Sequence, residues 1–131
     1  MPFIRSMTFA FALVTSSLLG MPPAPARADI VIPLSAQLLG AEFDTRARPG
    51  REGARILKLH SLSPLLRARL VGGGTYIAEA GDIITSVNDL RVLNEAGLAE
   101  RLRGMSSGDE VRLGIVDVRT GRTVHVWVKL D

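Results

Sequence analysis

The chain contains no cysteine. Thiol nucleophiles, disulfides and cysteine-ligated metals are therefore excluded. It has two histidines, His60 and His125. Two such ligands complete no metal site alone, and no acid cluster stands with them. The triple glycine at 72–74 is not followed by the Gly-Lys-Ser/Thr that a phosphate-binding loop requires. No nucleophile elbow is present either. His60 is followed by Ser61 and Ser63, but a base and nucleophile need an orienting acid in space, and no pattern supplies one. No catalytic residue is assigned, no cofactor or metal is expected, and the chain is read as not an enzyme. A small hydrolase built on His60 is the weakest alternative. Neither sign of charge dominates: 16 Lys/Arg stand against 13 Asp/Glu, a net of +3. No basic stretch carries interleaved aromatics, so nucleic acid is not an expected partner. After residue 28 no apolar run is long enough to cross a bilayer.

What is present begins with a leader. Arg5 gives a short positive region, and "MTFAFALVTSSLL" at 7–19 is an apolar core. "GMPPAPARAD" then ends on Ala26-Arg27-Ala28, with small residues at the −3 and −1 positions. Together these read as a secretory signal peptide, residues 1–28, cleaved after Ala28. Retention as an N-terminal anchor is the alternative. The mature chain, 29–131, is the size of one domain. Removing Arg5 and Arg27 from the 16 basic residues leaves 14 against 13 acids, a net of +1. An exported domain without disulfides must rely on its core, which points to a bacterial periplasm.

Along the mature chain, "DIVIPL" at 29–34 reads as an edge strand with Pro33 near its end. "SAQLLGAEF" follows, with Gly40 among apolar neighbours. Residues 44–53, "DTRARPGREG", form a charged Pro/Gly loop. "ARILKLH" at 54–60 alternates as a strand. In "SLSPLLRARL" Ser63 is a natural N-cap and Pro64 suits the first helical position, predicting a short helix. "VGGGTYIAEA" at 71–80 reads as irregular. A strand is expected over 83–87, a turn at Asn88-Asp89, and a very short strand over 90–92. Asn94 caps a predicted helix whose Leu98, Leu102 and Met105 form one stripe. A hairpin closes the chain. Val124, Val126, Val128 and Leu130 share one face of its last strand, and His125, Trp127 and Lys129 the other. The pattern implies a mainly β domain with two helices: a partly open barrel or sandwich of five to six strands, capped by helices.

Four segments in this order resemble the PDZ domain family. "LLGAEF" at 38–43 resembles its glycine-centred carboxylate-binding loop and the strand that follows. "ARILKLHSLSPLLRARL" at 54–70 resembles a strand and a Ser-Pro helix start. "GDIITSVNDL" at 81–90 resembles the family's Gly-Asp, apolar-pair, Val-Asn-Gly segment, with Asp89 where glycine is usual. "LAERLRGMSSGDEVRLGIVDVRTG" at 98–121 resembles its second helix, the Gly-Asp exit and the next strand. Two departures stand out. The link "ARLVGGGTYIAEAGD" is longer than usual. "LSAQ", before the glycine loop, lacks a common basic residue.

The residues themselves allow two things. A glycine in "QLLGAEF" lets successive N–H groups converge on a carboxylate, and a free edge on the strand from Ala41 can accept a peptide as an added strand. The resemblance implies pockets lined by Leu39, Ala41 and Phe43 on one wall, with Gly40 in the carboxylate loop. Leu98 or Ala99 and Leu102 form the other wall. The specificity position falls at Asn94 or Glu95. Glu95 there would disfavour acidic ligand side chains and accept from Ser, Thr, Lys or Arg. The expected role is a periplasmic adaptor that binds the C-terminus or an exposed strand of an envelope protein. Partners of that kind include an envelope protease or a membrane complex. The alternative is a structural accessory subunit of a larger periplasmic or membrane-associated complex. Its groove would be filled by the 71–80 loop or the N-terminal segment, and its contacts would lie around Trp127 and Tyr76.

Overall fold

Alternation is cleanest near the C-terminus, and the sheet is broadest there. Strands β7 (Glu110–Val116) and β8 (Thr123–Lys129) pair antiparallel along their whole length, from Glu110↔Lys129 to Val116↔Thr123. Val111, Leu113 and Ile115 of β7 and Val126 and Val128 of β8 are buried, one face of each strand. Period-two patterning puts the apolar residues on a single side, and burying each such side chain contributes about 1.5–3 kcal/mol. The computed structural model describes residues 32–46 and 52–131, and all the architecture below lies within them. The signal-peptide segment 1–28 and its cleavage point fall outside the described residues.

The remaining elements build outward from this hairpin. Strands β1 (Ala41–Phe43), β2 (Ala54–Leu59) and β5 (Ile83–Val87) lie on one side of it. Strands β3 (Ala68–Leu70) and β4 (Thr75–Tyr76) lie on the other. The order is β1-β2-β5-β7-β8-β3-β4, every neighbouring pair is antiparallel, and β6 (Leu90–Arg91) pairs only with β5. Helices α1 (Leu34–Leu39) and α2 (Glu95–Leu102) accompany the sheet. α2 packs on β2 and β5, and α1 packs on α2. One apolar cluster joins the sheet to both helices, with Leu39, Ile56, Leu98, Leu102, Leu113 and Val126 fully buried in it.

The mainly β class with two helices is present, but three details differ from the sequence reading. The sheet has eight strands, not five or six. The surplus lies in 68–76, expected as a helix end and an irregular loop. The Ser-Pro start yields only one 3₁₀ turn, Pro64–Arg67, with Ser63 Oγ accepting from Leu65 N at 3.1 Å. The chain then extends, because Arg69 and Leu70 find strand partners in Trp127 and Val126. Gly73 and Gly74, at φ 107° and 96°, turn it back as β4. Long-range pairing overrides a local helix preference here. The third difference is at 29–34. Residues 29–31 fall outside the described part, Ile32 and Pro33 are in no strand, and Leu34 opens a helix.

The Asn88-Asp89 turn is as the sequence suggests. Both residues have positive φ, 50° and 67°, as a two-residue hairpin turn between β5 and β6 requires. Asn and Asp tolerate that region better than other side-chain-bearing residues. Asn88 Oδ1 also accepts from Arg112 N at 2.9 Å, tying the turn to β7.

Candidate functional site: the edge strand β1 and its helices

β1 ends the sheet. Among the described residues its strand partner is β2, through Ala41↔Leu59, Glu42↔Lys58 and Phe43↔Ile56, with a register shift between Glu42 and Phe43. Glu42 is exposed, while Ala41 and Phe43 point into the core. Asp44, just beyond, is also buried and accepts from Arg46 N at 2.9 Å and from the Arg55 guanidinium at 3.4 Å. This carboxylate fixes the exit of β1.

The sequence-predicted residues divide by burial. Leu39, Ala41, Leu98 and Leu102 are fully buried and Phe43 nearly so. Gly40, Glu95 and Ala99 are partly exposed. Most of the set's apolar members therefore pack in the one core cluster rather than lining an open wall. The reason is α1. Ser35, Ala36, Leu38 and Leu39 of this helix are buried. Ser35 Oγ donates to Glu95 Oε2 at 3.1 Å, at the start of α2. α1 thus packs against α2 and leads through Gly40 directly into β1.

Gly40 links α1 to β1. It is the helix C-cap, at φ 60° and ψ 41°, a left-handed conformation that glycine adopts without penalty. A Cβ there would sit 3.0 Å from Ser63 Cα, so close approach also demands glycine. Its N–H donates to Ala36 O at 2.9 Å and its carbonyl accepts from His60 N at 2.9 Å. The Gly40 N–H is thus not available to the nest expected there, because it closes the helix. Ser63 holds the junction from the other side, donating from Oγ to Leu39 O at 2.6 Å.

α2 is built as its sequence indicates. Asn94 accepts at Oδ1 from Gly97 N at 2.8 Å, Glu95 sits in the first turn and Arg101 in the last. Each complements the helix dipole. Leu98 and Leu102 are buried and Met105 packs at the rim.

Three residues considered from sequence have other tasks. Ser63 donates and accepts within the backbone, and His60 Nε2 lies 3.7 Å from Glu42 Oε2, both side chains exposed. They form no nucleophile–base pair. Tyr76, expected on a contact surface, is buried. Its hydroxyl donates to Asp82 Oδ2 at 2.8 Å. Asp82 is wholly buried and also accepts from Glu79 N at 3.0 Å and Val118 N at 2.9 Å. Burial, then the hydrogen bond to Asp82 and the charges of Asp82 and Asp117, push the Tyr76 phenol well above its ordinary pKa, with Arg119 opposing. Trp127 is half-buried on the outer face, in register between Arg69 and Arg112.

Sequence reasoning missed α1. A signal was available: the six residues "LSAQLL" are bracketed by Pro33 and Gly40, a start and a stop for a helix. Beside α1 lies an open depression of about 380 Å³, lined among others by Ile32, Ala36, Gln37, Gly40 and Leu62.

No family model matches the chain, and no curated protein matches it. Among solved structures the fold is similar to part of the crystal structure of an aminopeptidase N family protein from Idiomarina loihiensis. The TM-score is 0.50 at 16% identity, covering 72% of this chain and 14% of that one. The chain therefore spans about one seventh of that protein's length, and the likeness concerns the fold alone. Among the described residues, no helix is long and apolar enough to cross a membrane.

Proposed function

We propose that this chain is a PDZ-like, exported protein-interaction module. It acts as an adaptor in the cell envelope, adding an extended segment or C-terminus of a partner protein to the edge of β1. The observation that carries this reading is the position of β1. It terminates an antiparallel sheet with β2 as its described strand partner, and α2 lies over the adjoining strands. An added strand gains main-chain hydrogen bonds whatever its sequence, and flanking side chains select among sequences. Supporting features are the leader-like 1–28 and the ordered sequence segments described above. Glu95, partly exposed at the start of α2, already accepts a hydroxyl, which is the chemistry expected of it toward a ligand.

The test is a titration of the nitrogen-15-labelled protein with peptides ending in an aliphatic residue, as free acids and as amides. Shifts at the amides of residues 39–43 with the acid alone support C-terminal recognition. Shifts with both forms support internal-strand addition. A well-dispersed spectrum that does not move with either removes both for the peptides used.

One observation favours the second reading, an accessory subunit with a filled groove: α1 packs against α2 and engages Glu95 through Ser35. On that reading a stoichiometric partner, captured from envelope extract, keeps its affinity when Glu42 and Glu95 are both replaced.

A further inference from the structure

We propose that α1 is a resident occupant of the β1–α2 groove that swings out on Gly40 to admit a partner strand. The proposal rests on the strand-addition reading above and assigns its regulation to this chain's own helix.

Three features set α1 apart from a permanent core helix. It has six residues, Pro33 at its N-cap offers no side-chain cap, and neither its first nor its last turn carries a charge that suits the dipole. A helix that short does not stand in water on local bonds alone. Its attachments are also uneven. The C-terminal end is tied to the fold by Leu39 O to Ser63 Oγ at 2.6 Å and Leu38 O to Asp131 N at 3.1 Å. Toward the N-terminus, the side-chain hydrogen bond that ties it to the rest of the fold is Ser35 to Glu95. An open depression borders it at Ala36, Gln37 and Gly40. Gly40, left-handed between Leu39 and β1, is the pivot, and opening about it breaks the two C-terminal bonds together with Ser35–Glu95.

The consequences are chemical as well as steric. When α1 leaves, Glu95 loses the Ser35 hydroxyl and is free to accept from an incoming donor. The Leu39 and Leu38 carbonyls are released from Ser63 and Asp131 at the same moment. The closed helix therefore masks Glu95, the polar group a ligand would use. A partner must bind the minor open form, so its apparent affinity is reduced by the open fraction.

Two measurements on the full chain test this. In hydrogen exchange, the amides of Gln37, Leu38 and Gly40 are expected to open well before those of β7 and β8. Ser35→Ala is expected to speed them about fivefold while leaving β7 and β8 unchanged, the effect of losing one ordinary hydrogen bond. Equal protection of α1 and the β7–β8 hairpin, or equal acceleration of both, overturns the gate. In the second measurement, free-acid peptides ending in an aliphatic residue are titrated against both proteins. Ser35→Ala is expected to bind about fivefold tighter. Unchanged or weaker binding overturns the proposal. If α1 opens separately and neither protein binds peptide, strand addition fails and the gate falls with it. If peptide binds but α1 opens only with the core, the gate alone fails.

Discussion

α1 and α2 are both short helices, packed against each other, yet they are held by different physics. α2 carries its own instructions: Asn94 caps it, Glu95 and Arg101 suit its dipole, and Leu98 and Leu102 form its buried stripe. α1 has no side-chain cap and no complementary charge, and it exists because Ala36, Leu38 and Leu39 find a core to enter. One helix is encoded locally and the other is borrowed from the fold. A borrowed element can be returned, which is what makes α1 suitable as a gate and α2 suitable as a wall.

The largest effect should expose that difference in the core. Leu102→Ala, at a fully buried position in α2, is expected to lower unfolding free energy by about 3 kcal/mol in urea titration. Leu38→Ala in α1 removes a comparable side chain that is 7% exposed. It is expected to cost about half as much globally, because part of its burial is lost in the local opening. Equal losses would mean that both helices belong to one cooperative unit.

The β3–β4 hairpin is borrowed too, through polar groups rather than apolar ones. Asp82 takes three donors, one of them the Tyr76 hydroxyl. Asp82→Asn leaves at least one partly buried N–H without its acceptor and is expected to cost about 2 kcal/mol by the same titration. The phenol gives a pH signature. Its pKa is raised on folding, so its contribution is complete below about pH 10, the ordinary tyrosine value, and is lost as pH climbs toward the folded-state pKa. Tyr76→Phe should flatten the alkaline fall in stability above pH 10, and an unchanged slope would show that Tyr76 is not its source.

This division also explains what was legible. α2, β5, the Asn88-Asp89 turn and the β7–β8 hairpin each have local signals, a cap, a period or turn residues, and all were readable. Leu98 and Leu102 were readable as a stripe, and Gly40 as a special backbone position. β3 was not, since Arg69 depends on Trp127 far along the chain, and β4 was not, since it exists only by pairing with β3; α1 had a start and a stop in Pro33 and Gly40, but its tie from Ser35 to Glu95 is long-range. The candidate site divides the same way. Its residues could be named one by one, but that α1 lies among them follows only from packing.

Asn94→Ala probes the locally encoded side alone. Removing the Oδ1 acceptor for Gly97 N is expected to destabilise by about 1 kcal/mol and to raise exchange at the α2 N-terminus, with α1 affected only through Glu95. Were α1 to loosen more than α2, the two helices would share one cap, and the contrast between them would fail.

The smallest expected effect is the sharpest, because it gives α1 what it lacks. Pro33 occupies the N-cap at φ −58° and ψ 148°, extended backbone that aspartate adopts readily. Pro33→Asp supplies an acceptor for the free N–H groups of the first turn and a negative charge at the dipole's positive end. The Gln37 N–H to residue 33 carbonyl bond, 3.0 Å, uses only main chain and survives the change. Loss of the proline ring gives the unfolded chain more freedom, which offsets part of the gain. A net stabilisation of about 0.5 kcal/mol is expected, concentrated in slower exchange at Gln37 and Leu38. If α1 is a gate, this capped variant should bind strand-adding peptides about twofold more weakly than the parent, opposite in sign to Ser35→Ala. A helix that becomes more stable with no loss of peptide affinity would place α1 outside the path of the ligand.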